Sequence, residues 1–283
     1  MTVAVTGAAG FVGSHVVRAL VTRGEDVIGI VRRIPDDPAP GVRYVMLDLA
    51  DADRGTYRAL GSPDQLVHLA WGGLPNYLSL HHFERELPLH YGFLETMIRA
   101  GLPSLLVTGT CYEYGMVDGE LVETLEPRPA NPYAFAKVAL LRQLGFLQAE
   151  IEFSLTWARL FYMWGEGQAP TSLYPLLQAA IARGERSFPM SAGEQLRDYL
   201  SISEVATMLA ALAGRRSSDG IVNICSGEPV SIRTMVERWI DRSRADIVPE
   251  RGRYPYPTYE PLAFWGSTAK AHALLATAHS SSR

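Results

Sequence analysis

Apolar residues in the first half of the chain come in short unbroken runs separated by longer amphipathic stretches. The runs at residues 2–6, 26–31, 43–46, 65–69, 104–108 and 153–158 predict strands, and apolar positions at helical spacing over 11–22, 83–100 and 131–148 predict helices. Strands that alternate with helices imply a parallel, doubly wound α/β sheet. The runs VIGIV and LLVT are apolar throughout, as strands covered on both faces should be. After residue 164 the rhythm changes. Prolines and glycines become frequent, and helices expected at 203–214 and 231–242 alternate with short strands. This divides the chain into a main domain over residues 1–164 and a smaller C-terminal α/β lobe over 165–283, parts of which return to the main sheet. The small polar tail 276–283 is expected to fray.

Composition narrows the classes. The 283 residues are 47% apolar and 20% charged, enough for a sizeable core. A net charge of −4 without a basic block argues against nucleic-acid or polybasic membrane partners. Cys111 and Cys225 form no metal-type spacing, so a reducing cytoplasm and no metal site are expected. No charged leader precedes the first strand, and no apolar run approaches the roughly 20 residues that span a bilayer, so neither a signal peptide nor a membrane segment is expected. His81 and His82 are adjacent, point apart on a helix and read as a surface pair.

The first strand runs into Gly7-Ala-Ala-Gly10-Phe11-Val12-Gly13 and then a helix. The first glycine permits a tight turn, the second lets backbone approach a pyrophosphate, and the third lets helix pack on strand. The helix start then offers N–H groups to the anion, which points to a dinucleotide. A Rossmann-type sheet with its ligand across the strand ends follows. The second strand ends in Val31-Arg32-Arg33, with no carboxylate until Asp36. An acid there would hold the ribose of NAD, whereas two arginines suit a 2′-phosphate. NADP(H) is therefore the preferred cofactor, with NAD(H) possible and a solvated basic turn as the plain alternative. Asp48, followed by Leu49, is placed either to meet the adenine or to cap a turn.

Tyr133 and Lys137 stand four apart at the start of a helix, on one face. A phenol ordinarily ionises near pH ~10, and a neighbouring ammonium is expected to lower that value. The pair suits general acid/base work on a carbonyl and its alcohol. Trp157 and Phe161 read as core, Cys111 as a packing residue beside the site, and the aromatic stretch 254–264 as a packed loop or a base-stacking surface.

Taken together, these motifs resemble the extended short-chain dehydrogenase/reductase family, the epimerase/dehydratase group acting on nucleotide sugars. Tyr133 and Lys137 match its catalytic Tyr-x-x-x-Lys, and Thr110, in Thr108-Gly-Thr-Cys-Tyr-Glu-Tyr-Gly115, falls at its catalytic Ser/Thr. His68-Leu69-Ala70 matches the strand end beneath the nicotinamide, and Asn223-Ile-Cys-Ser-Gly227 the turn opening the last strand–helix unit. Arg197-Asp-Tyr199 matches a motif whose arginine meets the substrate phosphates. The resemblance further implies substrate contacts from Trp71, Cys111, Tyr112 and Tyr162, and a homodimer built on the helices at 83–100 and 131–148.

The departures carry information. Dehydratases of the family place Asp-Glu directly after the catalytic Thr, where this chain has Cys111 and Tyr112, with Glu113 one place later and expected on the opposite face of a strand-like segment. Tyr162 replaces an asparagine that holds the substrate diphosphate. The stretch from Trp71 to Tyr77 and the GEQLRDY segment are similar to the 4-ketoreductases of deoxysugar pathways. The resemblance thus implies NADPH-dependent reduction of a nucleotide-linked 4-keto-6-deoxy sugar. The alternatives are a sugar epimerase with bound NAD, and a non-catalytic NADP-sensing regulator, a class that usually lacks the Tyr or the Lys.

Overall fold

In the computed structural model, which describes residues 1–257 and 260–280 with side chains through residue 276, the elements follow one another as expected from the apolar rhythm. The first half holds β1 (Thr2–Thr6), α1 (Phe11–Thr22), β2 (Asp26–Val31), β3 (Val42–Met46), α2 (Thr56–Ala59), β4 (Gln65–His68), α3 (Leu87–Arg99), β5 (Ser104–Thr110), β6 (Gly119–Leu121), α4 (Pro132–Gln148) and β7 (Ser154–Leu160). The second half holds β8 (Tyr162–Trp164), α5 (Leu173–Ala182), β9 (Ser187–Pro189), β10 (Leu196–Ser201), α6 (Ile202–Ala213), β11 (Gly220–Ile224), β12 (Pro229–Ser231), α7 (Ile232–Ser243), β13 (Val248–Glu250), β14 (Phe264–Gly266) and α8 (Ala269–Ser280).

Seven strands form one sheet in the order β11-β7-β5-β4-β1-β2-β3, every neighbouring pair parallel. Alternate residues of each strand serve opposite faces. Val3 and Val5 join Val17, Leu20, Val205 and Leu209 under α1 and α6, while Ala4 joins Phe93, Leu94, Leu140 and Leu144 under α3 and α4. Both faces are covered, which is why β5 is buried along its whole length. The strand order reverses direction at β1, and a crevice at the carboxyl ends of β1 and β4 is the consequence.

The second half is interleaved with the first. β11 pairs with β7 and extends the main sheet, and α6 packs against α1. The remainder forms a three-stranded sheet in the order β12-β10-β8 and the pair β9–β13 over a core that includes Phe188, Trp239 and Ile240, while β14 pairs with β6 from the first half.

Local chemistry explains the element ends. Asn131 accepts from Ala134 N–H and Pro132 fills the first turn of α4, while Ser201 and Glu204 make a reciprocal cap on α6. One expectation is corrected. The helix expected at 83–100 opens with a π-helical turn, His82–Glu86, because His82 and Glu86 are both turned inward to polar partners. Residues 276–280 continue α8, and residues 281–283 lie outside the described residues. Among the described residues no helix is long and apolar enough to cross a membrane, and no group of His, Cys, Asp or Glu is arranged to hold a metal ion.

Candidate active site

A cleft of about 860 Å³ opens across the carboxyl ends of the main sheet. At one end lies the turn between β1 and α1. Gly7 has φ +67°, and a Cβ on Gly13 would stand 2.0 Å from the Gly7 carbonyl oxygen, so α1 reaches the turn only because residue 13 has no side chain. Among the described residues no side chain caps α1, and the backbone N–H groups of its first turn face the cleft as donors for an anion. These features fit the diphosphate of a dinucleotide. Gly7, Gly10, Phe11, Val12 and Gly13 line this end, with Arg32, Arg33, Asp48 and Leu49 beyond β2 and β3 and Leu69 and Ala70 beyond β4.

Arg33 donates to Asp36 at 3.1 Å in a pair that is almost wholly exposed, and Asp48 accepts from Ala50 N–H at 3.1 Å. Asp48 therefore caps a turn and faces the cleft at once.

The other end of the cleft is built around Tyr133. The capped start of α4 sets Tyr133 and Lys137 on its buried side, and both line the cleft with Thr110, Cys111 and Tyr112. Lys137 Nζ donates to Thr108 O at 3.0 Å and stands 3.9 Å above the Trp71 ring, a cation–π contact. Burial drives the Lys137 ammonium down to about 7, against the opposing charges of Glu113 and Glu86. The expected lowering of the Tyr133 phenol is not seen. Burial pushes it up from its ordinary value, with Tyr77, Glu113 and Cys111 adding to the effect, and Lys137 Nζ stands 5.9 Å from its ring.

The residues after Thr110 form a 3-10 turn, Cys111–Tyr114, in place of the strand-like segment expected. Thr110 Oγ1 accepts from Tyr112 N–H, and Glu113 reaches back to Thr110 N–H at 2.8 Å. Glu113 is thereby turned inward, where Trp157 Nε1 donates to it at 3.0 Å and Arg159 Nε at 2.7 Å. Both sulfur and phenol beside the cleft are held protonated: burial pushes Cys111 and Tyr112 upward, and Glu260 adds to both shifts. Trp157 is core as expected, while Phe161, also expected as core, is buried and lines the cleft.

Arg197 is the one expected site residue that does not line the cleft. Its guanidinium is enclosed by Glu260 Oε2 at 2.8 Å, by the Leu196 and Leu262 carbonyls, and by the Phe264 ring at 4.7 Å. It makes four donations within the protein, and the ring of Tyr162, which lines the cleft, stands 5.6 Å from it. Asp198 of the same motif accepts from the Ser226, Gly227 and Gly266 N–H groups. Tyr112 donates to Glu260 at 2.6 Å and meets the Tyr162 hydroxyl at 3.3 Å, so Tyr162 and Tyr112 form one wall of the cleft. No described residue of the aromatic stretch 254–264 lines the cleft, and Tyr259 lies outside the described residues.

Periodicity missed several contributors. His82, expected on the surface, is fully buried and accepts from Trp71 Nε1 at 3.1 Å. Glu86, His90, Tyr77 and Gln168 also line the cleft. A carboxylate and an imidazole four apart on the apolar stripe of a helix was the available signal for Glu86 and His90.

The family described as NAD dependent epimerase/dehydratase matches residues 3–225. A relative from Aggregatibacter actinomycetemcomitans, dTDP-6-deoxy-L-talose 4-dehydrogenase (NAD(+)), is 30% identical over 272 residues, covering 94% of this chain and 100% of its own. Another from Kitasatospora kifunensis, dTDP-6-deoxy-L-talose 4-dehydrogenase (NAD(P)(+)), is 29% identical over 254 residues, covering 85% of this chain and 79% of its own. Among solved structures, MoeE5 in complex with UDP-glucuronic acid and NAD is similar at a TM-score of 0.82 and 28% identity, covering 98% of this chain and 93% of that one. The glycine turn, the Tyr133–Lys137 pair and a family match spanning well over half of the residues agree, and the chain belongs to the NAD dependent epimerase/dehydratase family.

Proposed function

We propose that the chain reduces a nucleotide-linked 4-keto-6-deoxyhexose to its 4-hydroxy sugar, with NADPH preferred over NADH. The observation that carries this reading is the turn after Thr110. Removal of water from a sugar needs an ionisable acid and base at the substrate. Here the two positions hold Cys111 and Tyr112, both pushed upward by burial, and Glu113 is spent on Arg159 and Trp157. Ketone reduction needs none of these groups. The two dTDP-6-deoxy-L-talose 4-dehydrogenases support it, because by their names they act at the same sugar carbon.

In this reading Gly7, Gly10, Phe11, Val12 and Gly13 hold the diphosphate, Asp48 and Leu49 flank the adenine, Arg32 and Arg33 meet the 2′-phosphate, and Leu69 and Ala70 floor the nicotinamide. When bound, the dinucleotide supplies the hydride. Tyr133 gives its hydroxyl proton to the oxygen developing negative charge, and Thr110 donates a hydrogen bond to the same oxygen. Lys137 places positive charge behind Tyr133. Trp71, Tyr112, Tyr162 and Cys111 enclose the sugar. Two copies pair through α3 and α4; Phe135 and Phe146, both exposed on α4, support a homodimer. The two buried free thiols suit a reducing cytoplasm.

A C4 epimerase holding NAD is the second reading. The NAD held by the similar MoeE5 structure supports it. A screen of NADPH and NADH oxidation against dTDP-, UDP-, GDP- and CDP-linked 4-keto-6-deoxyhexoses separates the two. Consumption of NADPH with one or more of them is expected. Consumption of neither cofactor, with co-purified NAD and interconversion of C4 epimers, would replace the reductase by the epimerase.

A further inference from the structure

Behind Tyr133 and Lys137 runs a row of buried polar side chains with a single consistent order of protons. Thr6 Oγ1 accepts from the Leu69 and Ala70 N–H groups at 3.2 and 3.3 Å, which occupies both its lone pairs. Its own proton goes to His68 Nδ1 at 2.9 Å. A neutral imidazole that accepts on one nitrogen carries its proton on the other. His68 Nε2 therefore donates to His90 Nδ1 at 2.8 Å, and His90 Nε2 donates to Glu86 Oε2 at 3.0 Å. Glu86 ends the row by accepting from Gly72 N–H at 2.6 Å and meeting His81 Nε2 at 2.7 Å. A further proton on either His68 or His90 would set two donors against each other. Burial pulls both imidazoles below their ordinary range, and the bond from His90, opposed by burial and helped by Gly72 N–H, holds Glu86 near 2. The row is thus two neutral histidines and one carboxylate.

Trp71 is clamped onto this row. Its ring stacks on His90 at 4.6 Å and 10°, its N–H is taken by His82, and its face carries the Lys137 ammonium. The Trp71 and Tyr133 rings also meet in a T-shaped contact, 6.0 Å between centroids.

We infer that Glu86 and His90 are positioning residues for the reaction, fixing Lys137 against Tyr133 through Trp71 and supplying a countercharge for its ammonium. The inference rests on the reading of Tyr133 as proton donor. The groups acting on Lys137 are Glu86 from the π-helical turn, His90 from α3, His68 from β4, Glu113 from the turn after β5 and Tyr133 from its own helix. Of these Glu113 and Glu86 carry negative charge; Glu113 acts the more strongly but is paired with Arg159, whereas Glu86 is held by His81 and His90.

The chain has two lysines, Lys137 and Lys270, so nitrogen-15 NMR of labelled lysine side chains reads Lys137 directly, with Lys270 as internal control. In E86Q the Lys137 titration should move about half a pH unit or more to the acid side, as loss of a nearby opposite charge requires, with Lys270 unmoved. The alkaline limb of the kcat profile should move with it, and kcat should fall about 10- to 100-fold at little change in KM, as expected when a catalytic group is displaced. If E86Q does not fold, E86D keeps the charge and shortens the reach to Gly72; it should retain the Lys137 titration and lose kcat. An unmoved Lys137 titration in folded E86Q, or unchanged kcat in E86D, overturns the inference. A wild-type protein that reduces no keto sugar while Lys137 shifts in E86Q would refute the proposed reaction and leave the countercharge role standing.

Discussion

Glu113 and Arg159 form an ion pair at 2.7 Å in which both side chains are fully buried. The carboxylate nearest the dehydratase positions is therefore a structural element and cannot reach a sugar. Removing one member of such a pair strands the other charge, which typically costs about 3–5 kcal/mol. Glu113→Gln is expected to lower the unfolding free energy by about that amount, measured by denaturant titration. A variant as stable as the wild type would mean that the carboxylate is free for chemistry.

Tyr133→Phe keeps the ring and deletes only the proton source. General acid catalysis contributes about 100- to 10,000-fold, and a loss of that order in kcat is expected with dinucleotide affinity retained. Steady-state kinetics and equilibrium titration check the two halves separately, and near-normal turnover would exclude Tyr133 as the acid.

The pH dependence follows from Lys137. Burial lowers its value from the ordinary lysine range to about 7, so the ammonium is present below pH 7 and lost as pH rises through it. The kcat/KM of the free enzyme should fall on the alkaline side of about pH 7, where an unburied lysine would leave it flat to about pH 10. A flat profile between pH 6 and about 9 would show that the charge on Lys137 is not required.

Arg32 and Arg33 line the cleft beyond β2, and the exposed Arg33–Asp36 pair is of a kind worth at most about 1 kcal/mol, too little to hold Arg33 from a phosphate. Replacing both arginines with Ala should weaken NADPH binding by about 2–4 kcal/mol and leave NADH nearly unchanged. Calorimetry measures both, and equal affinity of the unmodified protein for the two cofactors would remove the claimed preference.

Much of this was legible in the residues themselves. The glycine turn, the apolar rhythm and the Tyr133–Lys137 spacing sufficed for the doubly wound sheet, because each is enforced by backbone geometry or by burial on both faces of a strand. The enclosure of Arg197 was not legible, because a motif states which residue is present and not what encloses it: Glu260 lies 63 positions away along the chain. His82 and Glu86 were hidden for a related reason. His82 was expected on the surface from its adjacency to His81, and a π-helical turn, which local spacing does not announce, points it inward together with Glu86. Glu113 was expected to turn from the sugar and does, but through a capped 3-10 turn and not a strand.

The central claim is tested most directly by following the protein, NADPH and a dTDP-linked 4-keto-6-deoxyhexose together, with absorbance at the reduced-nicotinamide band and chromatography of the sugar nucleotide. The account predicts one NADPH consumed for each 4-hydroxy sugar formed, and no reaction of a dTDP-linked 4-hydroxyhexose offered alone. Formation of a 4-keto-6-deoxy product from that hexose, with no net change in NADPH, would contradict it.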